Sequence, residues 1–373
     1  MDFNLTEEQN MLRDTLGRFL GDRYSHKSRQ KLIASGEAYD QEIFSGLAGL
    51  GVLGALFDAD HGGFGGAGFD LSVVFEELGR AGVIEPFLPA VLAGGLIAEA
   101  GRTNVVDEII AGTHVAALAH GEPGSRYDLS HVESSAVLDG AEIILTGRKT
   151  HVLNGAQAQT LVVSARESGE VRDEEGISLF LVFAGGEGVT VVNHVNVDGT
   201  SGATVTLESV RVSVSARLGA AGAAFSSLET AVARCLTALC AEALGAMEAA
   251  KALTIEYLKD RKQFGIPIGK FQALQHRMAD MLIEIEQARS AVINLAGNLD
   301  QPRAIRERHV SATKNLIGRV GAMVAEECTQ MHGGIGMTHE YALSHFSRRL
   351  TMIDHMFGDV DYHLERFIAL KVR

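Results

Sequence analysis

Cysteine is scarce in this 373-residue sequence: Cys235, Cys240 and Cys328 are the whole complement. Three scattered cysteines make neither a disulfide framework nor a zinc site. Basic residues are outnumbered, 33 lysines and arginines against 47 aspartates and glutamates, so the formal charge is −14, and no Lys/Arg-rich run occurs. Nucleic acid is thereby excluded as a general partner, because neutralising phosphates needs a basic footprint. One or two placed arginines could still hold a phosphorylated cofactor. Long apolar runs are missing as well. The most apolar stretch, Pro86 to Ala98, is interrupted by prolines and glycines and flanked by Glu85 and Glu99, whereas a membrane span needs about 20 apolar residues. The N-terminus has neither the basic nor the apolar region of a secretory signal. These absences predict a cytoplasmic, reducing setting with no membrane span. What is present, 46% hydrophobic and 21% charged residues, is an ordinary globular composition with ample material for a core. The length suggests two or three domains, or one large one.

The apolar period changes twice along the chain. Thr6-Glu7-Glu8-Gln9 is a capping box, followed by Leu12, Leu16, Phe19 and Leu20 on one helical face. Loops at 51–54 and 61–68, a helix near 71–78 and an apolar helical stretch over 85–113 complete a first segment, residues 1–114. From 115 to 220 the pattern is β. Val137 to Leu145 reads as a hairpin around an Asp-Gly turn, and Thr160–Ala165, Ile177–Phe183, Val189–Val192 and Ala203–Val212 read as short strands. From 221 to 373 the pattern is helical again. One helix spans about 225–259, and the next carries Phe271, Leu274, Met278, Met281, Ile285, Ala288, Val292 and Leu295 at alternating spacings of three and four, the seam of a bundle helix. A third helix reaches about Met331, a glycine-rich turn follows, and a last helix ends the chain. This segregation predicts an α+β fold.

Three motifs invite a functional reading. Gly63, Gly65 and Gly68 form a formal G-x-G-x-x-G, but no strand precedes it and no βαβ unit surrounds it, so it reads as a structural loop between helices. Arg261-Lys262-Gln263-Phe264-Gly265, then Phe271-Gln272, puts an arginine at the end of a long helix. It could make a forked contact with a pyrophosphate or simply compensate the helix dipole. Gln330-Met331-His332-Gly333-Gly334-Ile335-Gly336 lies at another helix end, where bare backbone can approach a ligand.

Taken together, the last two motifs, with Arg277-Met278-Ala279-Asp280-Met281 between them, resemble the acyl-CoA dehydrogenase family. Further matches are Phe3-Asn4-Leu5-Thr6-Glu7-Glu8-Gln9 at the N-terminus, His61 to Gly65 with Glu76-Glu77-Leu78-Gly79, and Gly147-Arg148-Lys149 to Asn154-Gly155. The resemblance covers the whole chain. It implies an N-terminal α-helical domain (1–114), a central β-barrel domain (115–220), a C-terminal four-helix bundle (221–373), and FAD as cofactor. It also implies αβ-desaturation of an acyl-CoA thioester by a glutamate base, with electrons passed to an electron-transfer flavoprotein. By resemblance, Arg261 contacts the FAD pyrophosphate, Phe264 and Gln272 line the nucleotide, and Gln330, His332, Gly333 and Gly334 pack against its adenosine end.

Two parts of the family pattern fail. Its flavin loop, Thr-Glu-Pro-x-Ala-Gly-Ser-Asp, is here the shorter Gly121-Glu122-Pro123-Gly124-Ser125-Arg126, and its Trp-Ile-Thr falls on His151-Val152-Leu153 in a chain without tryptophan. Its catalytic glutamate falls on Gly358, and the family's alternative base position falls on Cys235. No catalytic residue is therefore assigned. His355 and His363 near Asp354, Asp359 and Asp361 lack metal-ligand spacing, so no metal is expected either. The resemblance then narrows to the base-lacking subunits of bacterial α2β2 acyl-CoA dehydrogenases that act on steroid side-chain thioesters, a second dehydrogenase-like chain supplying the flavin loop and the glutamate. The alternatives are a self-sufficient homo-oligomer using Asp359, Asp361 or Glu242, and a scaffold subunit without flavin.

Overall fold

The structure, a computed structural model, describes residues 5–370; Phe3 and Asn4 of the N-terminal motif lie outside them. The helices are α1 (Glu7–Arg23), α2 (His26–Ser35), α3 (Gln41–Gly49), α4 (Gly68–Ala81), the three-residue α5 (Phe87–Pro89), α6 (Gly95–Glu99), α7 (Thr103–Ile110), α8 (Phe225–Asp260), α9 (Gln272–Asn298), α10 (Arg303–His332), α11 (Leu343–His355) and α12 (Val360–Ala369). The strands are β1 (Ala116–Ala119), β2 (Ser135–Asp139), β3 (Glu142–Leu153), β4 (Thr160–Arg166), β5 (Ile177–Phe183), β6 (Val189–Val195), β7 (Ser201–Ser213), β8 (Arg217–Leu218), β9 (Lys262–Gln263) and β10 (Ile266–Pro267).

By internal contacts the chain divides into two units. One comprises Leu32–Gly66 and Ile84–Cys235. Its core is an eight-stranded sheet in the order β6-β7-β3-β2-β4-β5-β8, with β1 pairing in parallel with β4. β2 and β3 form the expected hairpin, but Asp139 pairs with Glu142, so Gly140 and Ala141 make the loop. Only Gly140 has positive φ there, which is the type II′ turn that favours glycine at its first central position. The apolar stretch before the sheet is one buried run, α5 and α6 joined by a turn of π-helix at Ala90–Gly94. The glycine-rich loop is structural, as expected. A Cβ on Gly63 would lie 2.2 Å from the Phe57 carbonyl oxygen, and one on Gly65 2.4 Å from that of Ala55.

The other unit comprises Met1–Lys31, Ala67–Val83 and Leu236–Arg373. Thr6 caps α1 through the predicted box. The α9 seam is buried from Met278 to Leu295, while Phe271 and Leu274 at its start are only partly covered. α4 meets the later part of α8 with almost no space between backbones, since a Cβ on Gly79 would lie 2.0 Å from the Glu242 carbonyl and one on Gly245 1.9 Å from that of Glu76. The single last helix expected from sequence is two, α11 and α12, broken at Phe357 and Gly358 by positive φ. A second correction concerns apolar length: α8 contains an 18-residue window long and apolar enough to cross a membrane. That window is 89% buried inside the protein, as in a core helix.

Candidate functional site

The bundle unit carries two groups of candidate residues with opposite character. Between α8 and α9 the chain forms a tight hairpin, Gln263 pairing with Ile266. Its loop residues Phe264 (φ 53°) and Gly265 (φ 81°) are both left-handed, the type I′ turn. Phenylalanine is a poor residue for that conformation; Phe264 is 90% exposed, its ring edge-on to that of Phe271 at 6.2 Å. Arg261 precedes the hairpin. Its backbone is held, N–H to Tyr257 and carbonyl from Ile268, and among the described residues its exposed guanidinium has no ion-pair partner. Gln272, the first residue of α9, and Gln330, in the last turn of α10, are exposed too.

His332 differs from the other predicted residues. Its ring is buried and stacked on Tyr257 at 4.5 Å. Nδ1–H donates to the Cys328 carbonyl at 2.8 Å, which leaves Nε2 to accept from the Tyr341 hydroxyl at 3.2 Å. Burial holds its pKa below the ordinary value, so the ring is a neutral strut inside the turn. Gly333 and Gly334 follow in a 3₁₀ turn, Gly333 at φ 67°, and a Cβ on either would meet nothing within 4 Å. Tyr257 and Tyr341, which fix this strut, carried no signal in the sequence.

The base position is the opposite. Gly358 is buried at φ 122°, and a Cβ there would lie 2.4 Å from Tyr362 Cδ1 and 2.5 Å from His363 Nε2. Lys314, fully buried, donates to the carbonyls of Asp354 (2.9 Å) and Gly358 (2.7 Å). Burial lowers its pKa. His363 donates from Nε2 to the Phe357 carbonyl at 3.1 Å, and burial, aided by the Lys314 charge, pushes its pKa down to about 3. Two of the three substitute carboxylates have other duties. Glu242 is buried in a forked ion pair with Arg349, at 2.5 and 2.8 Å. Asp359 caps α12 by accepting from the Tyr362 N–H at 2.9 Å. Asp361 is exposed on the first turn of α12, and Cys235, at the other base position, is fully buried.

In the sheet unit the shortened loop folds on itself. Glu122 turns inward, pairing with the fully buried Lys149 at 2.6 Å and accepting from the Ser134 hydroxyl and from the N–H groups of Glu133 and Ser134. Burial raises its pKa, but Lys149 and these donors outweigh that and hold it low. Burial brings Lys149 down to about 8. Lys149 also donates to Ser164, whose hydroxyl meets His120 Nδ1 at 2.9 Å. Arg126, exposed at φ 47°, lies over the Tyr127 ring. His151 sits at φ 55° where β3 slips register against β7, its exposed ring edge-on to His194 at 6.3 Å. Glu122, His131 and Glu133 bring potential ligand atoms within 4.8 Å of one another, but the Glu122 carboxylate already serves Lys149 and the loop N–H groups.

Comparison with known proteins agrees with this architecture. Models of the acyl-CoA dehydrogenase N-terminal, middle and C-terminal domains match residues 6–112, 117–210 and 231–369. A probable acyl-CoA dehydrogenase of Bacillus subtilis, YngJ, is 27% identical, the alignment covering 100% of this chain and 99% of that protein. The caffeyl-CoA reductase–Etf complex subunit CarC of Acetobacterium woodii is 28% identical over 92% of each. Among solved structures, a variant of the Tcur3481–Tcur3483 steroid ACAD superposes with a TM-score of 0.86 at 29% identity, covering 98% of this chain and 97% of that one. With three consecutive domains matched over almost its whole length, the chain belongs to the acyl-CoA dehydrogenase family, oxidoreductases whose characteristic cofactor is FAD.

Proposed function

We propose that this chain is the base-lacking subunit of a heteromeric, FAD-dependent acyl-CoA dehydrogenase, in which a second dehydrogenase-like chain supplies the flavin loop and the catalytic glutamate. The observation that carries this reading is a bare base position, with the Glu242 and Asp359 carboxylates near it already engaged. Gly358 offers none, Glu242 is neutralised by Arg349, and Asp359 is a helix cap. A general base normally contributes about 10²–10⁴-fold, so a half-site without one needs a donor from elsewhere.

The bundle half suits FAD. Arg261 is an exposed cation with room to meet a pyrophosphate. Phe264, Gln272 and Gln330 are exposed, and the open space over Gly333 and Gly334 admits close backbone approach. His332 contributes by shaping that turn, its ring being occupied. When bound, FAD supplies the redox chemistry of the reaction; this chain's part is to bind and orient it. In the middle domain the Glu122 side chain of the shortened loop is turned inward onto Lys149, which supports assigning the flavin loop to the partner.

The wider assignments are part of the same proposal: domain limits near 114 and 220, a cytoplasmic α2β2 heterotetramer, a steroid side-chain thioester or related bulky acyl-CoA in lipid degradation, and an electron-transfer flavoprotein as acceptor. The likeness to a steroid ACAD with a two-part name and to a subunit of an Etf complex supports them by analogy. Expression alone and with the second chain tests the reading. The expected result is little flavin and no acyl-CoA turnover from the isolated chain, with both gained on co-expression. Robust turnover by the isolated chain, lost in Asp359→Asn or Asp361→Asn, would favour the self-sufficient enzyme instead. Absence of flavin under both conditions would favour the scaffold.

A further inference from the structure

The turn from Met356 to Asp359 is held at every residue. Met356 N–H reaches the Ile353 carbonyl at 3.3 Å, the Phe357 carbonyl accepts from His363, the Gly358 carbonyl accepts from Lys314, and Asp359 caps α12. Lys314 also takes the Asp354 carbonyl in the last turn of α11, one of the groups a helix C-terminus leaves without an internal partner. The two residues at the bend, Phe357 (φ 56°) and Gly358 (φ 122°), both have positive φ. A buried ammonium is tolerable only when its hydrogen bonds are made, and both of those made by Lys314 end on carbonyls of this turn and its approach. A different turn would strand the ammonium.

We infer that Lys314 is a positioning residue that clamps the 356–359 turn in a conformation open only to glycine at 358, so that the fold itself excludes the missing carboxylate. The obstruction is double. The backbone angle disfavours any L side chain, and the space a Cβ needs is held by Tyr362 and by the His363 ring, itself fixed to Phe357. A point substitution therefore cannot restore a base here. What this says about catalysis rests on the proposed function; what it says about the turn does not.

A double-mutant cycle on the full-length chain separates the two. Unfolding by urea and hydrogen exchange of the α12 amides are followed for Gly358→Ala, Lys314→Met and the pair. Gly358→Ala is expected to shift the unfolding equilibrium about tenfold or more, the scale of a strained backbone position, and to speed exchange in α12. In the Lys314→Met background the same change should cost several-fold less, because the released turn can rebuild. An effect of Gly358→Ala within twofold, or a full effect undiminished by Lys314→Met, would overturn the clamp. Should Lys314→Met not fold, Lys314→Gln gives the same comparison with a shorter, neutral donor. Separately, Gly358→Glu in the co-expressed complex should add no turnover. Added turnover would overturn the exclusion even if the partner's role stands.

Discussion

The C-terminus and the buried face of α10 lead to regions that treat polar side chains in opposite ways. Its C-terminus runs into the Gly333 turn, in the same unit as the 261–265 hairpin, where Arg261, Phe264, Gln272 and Gln330 all stand exposed. Its buried face carries Lys314 to the 358 turn, where the Phe357 and Gly358 carbonyls and the Asp359 side chain are hydrogen-bonded within the chain. Exposed groups without partners cost the fold little and remain available to a ligand; groups consumed by hydrogen bonds are fixed to structure. Sequence resemblance alone ranks the two regions as one conserved and one decayed. The geometry adds that the second is held by its own hydrogen bonds as a structural element.

The sharpest way to break this contrast is to remove a partner from the closed region. Arg349→Leu leaves Glu242 buried and unpaired, and should destabilise the fold by about 3–5 kcal/mol, read by urea unfolding. Adding Glu242→Leu should recover most of that loss if the pair is structural. A smaller effect comes from pH. His363 has a folded pKa of about 3 against an ordinary 6.5, so between those values the unfolded chain binds a proton that the folded chain does not. Its contribution is intact above pH 6.5 and is lost as pH falls toward 3. His363→Asn should flatten the stability profile in that window.

The exposed region should respond in the reverse sense. Arg261→Ala is expected to lower the flavin content of the purified complex while changing the stability of the chain by no more than about 0.5 kcal/mol. Unchanged flavin occupancy would remove Arg261 from the site. The smallest effect belongs to Phe264→Gly. It relieves the left-handed strain at a ring that buries little area, so the isolated chain should gain or lose only tenths of a kcal/mol, while flavin retention by the complex falls.

Much of this was legible in the residues. Strand and helix periods located β4, β5, β7 and α8–α10 to within a few residues, and the α9 seam is buried where its spacing placed it. The split between α11 and α12 escaped because two consecutive left-handed residues, one of them Phe357, leave no periodic trace. The role of Lys314 does carry a sequence signal. Val310, Lys314, Ile317, Gly321, Val324, Cys328 and Met331 follow the alternating three-and-four spacing of a buried seam, and a lysine in such a row has to find internal acceptors. Glu242 stands in the same relation to Leu239 and Ala246. Its partner Arg349, more than a hundred residues later, could not be read from either position.

The central claim, that this chain provides only half of each flavin site, is tested most directly by counting flavins in the intact assembly. Native mass measurement combined with flavin quantification of the co-expressed complex should give a heterotetramer holding two FAD. Four FAD per tetramer, or a stable homotetramer of this chain saturated with FAD, would contradict the account.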